Sequence, residues 1–258
     1  KKISNIKILD KFKNGGIGKL EDCFDTDFIF LCLPTEYDQE KKDYNLDPIN
    51  ENLNLLNRNS YDGIIIIKST VLPGTTEKLS NKFENLNLCH NPEFLTARTA
   101  TKDFLNQKHI ILGKTKNSKS FDYLKKFYES NWSNAVISVC SSKESESIKI
   151  FCNSFYAVKI QFFNELFLLC KKQNINFKNV TNLMIGNGWI NPMHTDVPGH
   201  DGKLSYGGAC FPKDTNALLS HLIKNGVPSN VLDATIHERN IMRNNTVDSY
   251  LDDNSNNV

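Results

Sequence analysis

Over its first half the chain alternates short apolar runs with stretches of helical periodicity. NIKILD (5–10) reads as a strand ending in an acid, and DFIFLCLP (27–34) is continuously apolar, as a strand buried on both faces requires. DGIIIIKST (62–70) carries a β-branched run, the firmest strand signal present. NLNLCHNPEF (85–94) and HIILG (109–113) read as two shorter strands. Between them lie amphipathic stretches of helix length, such as DPINENLNLLNRN (47–59) and SKSFDYLKKFYES (118–130). Strands alternating with helices predict βαβ units, hence an α/β fold with a parallel, doubly wound, Rossmann-like sheet.

The pattern changes near residue 141. SSKESESIKIFCNSFYAVKIQFFNELFLLCKKQ (141–173) predicts a single long helix, capped by Ser141 or Ser142, with acids in its first turn and Lys171-Lys172 in its last. Ile148, Phe151, Phe155, Val158, Phe162, Leu166 and Leu169 form one apolar stripe; Cys152, Tyr156, Ile160, Phe163, Phe167 and Cys170 form a second. Two stripes predict burial on two sides, against the helix's own domain and against a partner subunit in a homodimer. Further helices are predicted at 177–185, 214–225 and 229–244. The domain reading is therefore a nucleotide-binding unit at 1–140, an all-helical unit at 141–246 and a polar tail at 247–258, with no internal repeat.

Composition narrows the function class. The 258 residues, 39% hydrophobic, can bury a core in one large domain or two moderate ones. A net charge of +2 speaks against a broad nucleic-acid face, and Lys41-Lys42 and Lys171-Lys172 read as solvated surface. Seven cysteines without CxxC pairs suit a reduced, cytoplasmic chain with no metal-ligand spacing. No apolar run reaches the roughly 18 residues of a membrane span.

GGIG (15–18) reads as an ordinary turn. Four residues separate it from the first strand, Glu21 occupies the third glycine position of a dinucleotide motif, and EDCFDTD is no helix core. Asp10 has two readings: it receives the ribose hydroxyls of NAD at the end of the second strand of a Rossmann unit, or it caps a turn. Cys210 in YGGACFPKDT stands just before a helix opened by Pro212, where the helix dipole and nearby Lys213 favour a thiolate able to attack a carbonyl carbon. Asp214 then falls in the first turn of that helix. Lys149 and Asn153 lie one turn apart on the long helix, where together they can hold an oxyanion or a water. Ser69-Thr70 and Glu93 each follow a strand, at the carboxyl ends where open α/β sheets bind ligands.

IIKSTVLPGTT, HNPEFLTARTATKDFLNQKHIILG, SESIKIFCNSFYAVKIQFFNEL and VPGHDGKLSYGGACFPKDT occur in this order and spacing. Together they resemble the UDP-glucose/GDP-mannose dehydrogenase family, over about residues 5–244, and FLCLPTEYD resembles its segment after a central Rossmann strand. The resemblance implies oxidation of a sugar C6 alcohol to a carboxylate with two NAD per turnover, supplying polysaccharide precursors. It implies Cys210 as the nucleophile, forming a thiohemiacetal and then a thioester. Lys149 and Asn153 match the residues that stabilise the oxyanions, Asp214 the acid that works with them on a water, and Thr70 and Glu93 residues that order water and exchange protons near C6. By the same resemblance Pro34, Thr35, Ser69, Thr70 and Lys213 join Asp10 as cofactor-binding candidates. Phe94, Leu95, Tyr206, Gly207 and Gly208 join Glu93, Lys149 and Asn153 around the sugar.

Several positions depart from the family pattern. The first βαβ unit with its glycine-rich phosphate loop and the C-terminal nucleotide-sugar domain are not in this sequence, and the missing initial Met points to a fragment. Ala97 stands where the family commonly has a second Glu, and Trp189 where an arginine reaches the partner's sugar site. UDP-glucose is the substrate implied first. GDP-mannose, a UDP-N-acetylhexosamine, or an inactive relative that only dimerises through the 142–173 helix remain as alternatives.

Overall fold

The computed structural model describes residues 6–244; the expected polar tail lies outside them. Five strands form one sheet in the order β1-β4-β5-β6-β7: β1 (Phe28–Leu31), β4 (Ile64–Ile67), β5 (Asn87–His90), β6 (His109–Lys114) and β7 (Val136–Ser141). Two short strands, β2 (Tyr37–Asp38) and β3 (Asp43–Tyr44), stand outside it. β1, β4 and β5 run parallel, and β6 and β7 are parallel to each other. The β5–β6 pairing is antiparallel, so the sheet keeps the expected parallel, doubly wound plan with one reversal.

The isoleucine run shows why this sheet is covered on both faces. Side chains alternate along a strand. Ile65 and Ile67 enter a core with Ile49, Leu53 and Leu56 of α1 (Asp47–Arg58) and Leu79 of α2 (Thr75–Lys82). Ile64 and Ile66 enter another with Leu124 and Tyr128 of α4 (Phe121–Asn131). All four isoleucines are buried, hence a continuous apolar run instead of an alternating one. β7 escapes the sequence reading for the opposite reason. It is an edge strand with Val136 and Val139 exposed, so no buried run marks it.

The strand expected at 5–10 is corrected. Residues 6–10 join no sheet, and Ile6, Ile8 and Leu9 are exposed. Among the described residues the segment pairs through an isolated bridge between Asp10 and Ile17, which closes the GGIG turn. Asp10 Oδ1 accepts from the Phe12 and Lys13 amides, both at 3.0 Å, and these bonds hold its carboxyl below the usual range. The acid bends the backbone into a turn instead of ending a strand; a short alternating stretch needs a neighbouring strand to become one.

The long helix forms as expected, as α5 (Ser142–Lys172). Ser141 caps it: its hydroxyl accepts from Glu144 N at 3.2 Å, while the Glu144 carboxylate accepts from Ser141 N at 2.8 Å, a reciprocal capping box. The chain divides into two compact units inside this helix, one up to Lys149 and the other from Ile150 on, with Gln39–Asp43 counted in the second. The first two turns of α5 belong with the sheet because of their side chains. Glu146 is buried, and its carboxylate accepts from Gly74 N (2.5 Å) and Thr76 N (2.7 Å), capping α2, which has no side-chain cap of its own.

The second unit holds the rest of α5 with α6 (Phe177–Gly186), α7 (Phe211–Lys224) and α8 (Asn230–Asn244). Ala157, Phe163 and Cys170 of α5, Ala217 and Leu218 of α7, and Leu232, Ile236 and Met242 of α8 are buried. Of the two stripes on α5, the one through Phe163 and Cys170 is covered, whereas Phe151, Phe155, Phe162 and Leu169 of the other face outward. Among the described residues no helix is long and apolar enough to cross a membrane.

Candidate functional site

In the first unit, three parallel strands bring their carboxyl ends to one edge, and the loops that leave them are tied together. Ser69 Oγ accepts from Leu33 N at 2.9 Å and donates to Leu33 O at 2.7 Å. Thr35 Oγ1 donates to Thr70 O at 2.7 Å. Pro34 is thus bracketed, and four of the sequence-derived cofactor candidates, Pro34, Thr35, Ser69 and Thr70, meet at adjoining strand ends. Two of their hydroxyls are consumed in holding the loops. What the set can offer a dinucleotide is therefore fixed backbone at the place where open α/β sheets bind such ligands. Asp10, committed to its turn, stands at no strand end.

After β5 the loop is anchored by Lys68, which the sequence reading passed over. Lys68 Nζ donates to Asn91 O (3.1 Å) and Asn91 Oδ1 (2.7 Å), Tyr128 OH donates to Asn91 Oδ1 (2.5 Å), and Asn91 Nδ2 donates to Ile111 O (2.8 Å). Burial pulls the Lys68 ammonium below its ordinary range. Beyond this anchor, Glu93 Oε2 accepts from Leu95 N at 2.7 Å, and Oε1 pairs with Lys149 Nζ at 3.1 Å. The ammonium also lies 5.4 Å from the centre of the Phe94 ring. Lys149 is 4% exposed. Glu93, Phe94, Leu95 and Lys149, expected together around a sugar, are indeed neighbours.

Next to this loop, His90 is fully buried. Its Nδ1 is 2.9 Å from Ser145 Oγ, and its Nε2 has no partner. Burial pushes its pKa down to about 3, against the usual 6.5, with Lys68 and Lys149 adding to the shift. Because the unfolded chain takes up a proton that the folded one refuses, stability is complete above about pH 6.5 and falls as the pH drops towards 3. The slope approaches about 1.4 kcal/mol per pH unit. Urea unfolding of wild type and His90→Gln between pH 7 and 4.5 checks this: the variant is expected to lose about one proton's worth of slope. Equal slopes would refute it.

In the second unit, Cys210 is exposed and is the N-cap residue of α7, whose first helical hydrogen bond runs from Asp214 N to its carbonyl at 3.0 Å. Pro212 lies in the first turn, as its fixed φ allows. Asp214 is 0% exposed. Its Oδ2 accepts from Asn153 Nδ2 at 2.6 Å, and its Oδ1 pairs with Lys213 Nζ at 2.7 Å. A buried carboxylate needs such partners. Asn153, Lys213 and Asp214 therefore form one set beneath the helix N-terminus that carries the thiol. Tyr206 is turned inward, its hydroxyl 3.5 Å from Thr215 Oγ1. Gly208 has φ +76°, a conformation that suits glycine.

Two models of one protein family match the chain: the NAD binding domain of the UDP-glucose/GDP-mannose dehydrogenase family over residues 18–132, and its central domain over residues 143–240. The UDP-glucose 6-dehydrogenase of Campylobacter jejuni is 29% identical over 247 residues, covering 92% of this chain and 60% of that protein. The UDP-glucose 6-dehydrogenase of Rickettsia prowazekii is 32% identical over 87% of this chain and 51% of its own length. A solved UDP-glucose dehydrogenase from Pyrobaculum islandicum superposes with a TM-score of 0.76 at 25% identity, over 87% of this chain and 52% of that one. The chain thus spans about half to three fifths of the relatives it matches.

Proposed function

Since the chain belongs to the UDP-glucose/GDP-mannose dehydrogenase family, we propose that the protein oxidises the C6 hydroxyl of a nucleotide sugar to a carboxylate, with UDP-glucose as the substrate. The observation that carries this reading is an exposed thiol on a helix N-terminus, above a buried Asn153–Asp214–Lys213 set. NAD supplies the hydride acceptor for both oxidations, and Pro34, Thr35, Ser69, Thr70 and Lys213 are the residues proposed to hold it. The remaining chemistry falls to this chain's own side chains. Glu93, with a water ordered by Thr70, takes the proton of the C6 hydroxyl as the first hydride leaves. The Cys210 thiolate then adds to the aldehyde carbon, and the carbonyl oxygen becomes an oxyanion met by the Lys149 ammonium and the Asn153 amide. Loss of the second hydride leaves a thioester. A water deprotonated with the help of Asp214 attacks it, the C–S bond breaks, and the carboxylate leaves as the thiolate is restored.

Phe94, Leu95, Tyr206, Gly207 and Gly208 are proposed to shape the sugar pocket. A homodimer is proposed through α5, whose outward Phe151, Phe155, Phe162 and Leu169, with exposed Val231 of α8, form an apolar face suited to a second copy. Trp189, where the family pattern has an arginine, is 89% exposed.

The test is NADH absorbance with the full-length protein, offering UDP-glucose, GDP-mannose and UDP-N-acetyl sugars separately. Two NADH per sugar with UDP-glucose is expected. The same stoichiometry with another donor would change the substrate. No NADH from a folded dimer with any donor would overturn the dehydrogenase reading in favour of a dimerising relative.

A further inference from the structure

The glycine pair before Cys210 invites one explanation for both residues, and the second unit gives two. Gly208 needs its positive φ. Gly207 has no such need; what surrounds it is a guanidinium. A Cβ on Gly207 would come within 2.9 Å of Arg243 Nη2, 3.0 Å of Cζ and 3.1 Å of Nη1. The end of an arginine side chain could ordinarily swing away, but this one is held at both prongs. Arg243 Nη1 pairs with Asp201 Oδ2 at 2.6 Å, and Nη2 donates to Ser205 O at 2.7 Å. The Arg243 side chain is 12% exposed.

The residue that Arg243 grips is itself fixed from several sides. Ser205 has φ +56°, unusual for a residue with a side chain. Its amide donates to Asn164 Oδ1 at 2.8 Å and its hydroxyl to Gln161 Oε1 at 2.6 Å, both on α5. Tyr206 O accepts from Arg239 Nε at 3.2 Å, and its ring lies 5.7 Å from that guanidinium. Through its hydroxyl Tyr206 also reaches Thr215 near the start of α7. The segment 201–206 is thus tied to α5, α7 and α8, and only Gly207, Gly208 and Ala209 separate it from the thiol.

We propose that Arg243 is a positioning residue for Cys210: its guanidinium bridges Asp201 and Ser205, fills the space a side chain at 207 would take, and so sets the path by which the loop enters α7. Arg243 alone is reason enough for a glycine at 207. The consequence for turnover rests on the dehydrogenase reading; the consequence for the thiol does not.

The experiment therefore reads the thiol. Alkylation of Cys210 by iodoacetamide is followed by peptide mass spectrometry on the full-length folded protein, with exposed Cys32 as the internal reference, and NADH formation is measured in parallel. Gly207→Ala is expected to slow Cys210 alkylation about two- to fivefold, the scale of help that a helix N-terminus gives a nearby anion, with Cys32 unchanged. In an Arg243→Ala background, which is itself slowed, Gly207→Ala should add nothing. Arg243→Lys, which can meet Asp201 but cannot fork to Ser205, should fall between wild type and Arg243→Ala, and it carries the test if the alanine variant does not fold. An equal effect of Gly207→Ala in both backgrounds, a lysine variant indistinguishable from wild type, or a lower urea midpoint with unaltered Cys210 reactivity would each overturn the proposal. Coupling without NADH would sink the dehydrogenase reading and leave the clamp standing; NADH without coupling would do the reverse.

Discussion

Replacing Cys210 with serine should end acid formation. The expected loss in kcat is on the order of 10⁴-fold or more, the scale seen when an enzyme loses its covalent nucleophile. A hydroxyl can occupy the same volume at the N-cap of α7, so the fold should survive: Cys210 is exposed and its side chain makes no capping bond. The thiol is needed for two properties serine lacks. A thiolate is a far stronger nucleophile towards an aldehyde carbon than a hydroxyl, and it is a good leaving group when water attacks the acyl intermediate. The measurement is NADH per nucleotide sugar together with carboxylate by chromatography, wild type against variant. Acid output near the wild-type rate would exclude the covalent role and turn attention to a direct water attack assisted by Asp214.

How much of this could be read in the sequence depends on whether a residue's partner is local. The four isoleucines of β4, the capping of α5 and the opening of α7 beside Pro212 follow from periodicity and short-range chemistry. The same logic misplaced the segment before Asp10, because alternation over a few residues says nothing about whether a strand lies alongside. It missed β7 because an edge strand has no buried run. Within the candidate site, Lys149 and Asn153 stood out as polar residues on an apolar helix, and each is buried with a carboxylate partner, Glu93 and Asp214, 56 and 61 positions away in the chain. Those partners could be nominated from motifs but not joined to their mates, since spacing along the chain does not encode such contacts. Lys68, Glu146 and Arg243 left no signal at all. Each is one more charged residue in a chain of 31 Lys and Arg and 29 Asp and Glu, and only its burial against backbone groups sets it apart.

Lys149 offers the cleaner way to separate binding from chemistry. Its ammonium is positioned by one carboxylate and an aromatic ring, with little room for solvent: the side chain is 6% exposed. A donor that meets charge only as the oxyanion develops lowers the barrier without tightening the ground state. Lys149→Ala should therefore lower kcat about 10²- to 10³-fold, as removing one oxyanion donor does, while KM for the nucleotide sugar changes by no more than a few-fold. The geometry keeps the loss of chemistry separate from a loss of stability. The Glu93 side chain left behind is 32% exposed and can turn to water, whereas Asp214 at 0% cannot. Deleting one partner of Asp214 would weaken the support of a buried charge, at a cost of up to about 3–5 kcal/mol, and confuse folding with catalysis. Steady-state kinetics with the sugar donor varied, alongside urea unfolding of the same samples, distinguish the cases. A KM raised by the full factor at unchanged kcat would mean that Lys149 holds the substrate equally in ground and transition states, and the oxyanion would then depend on Asn153 alone.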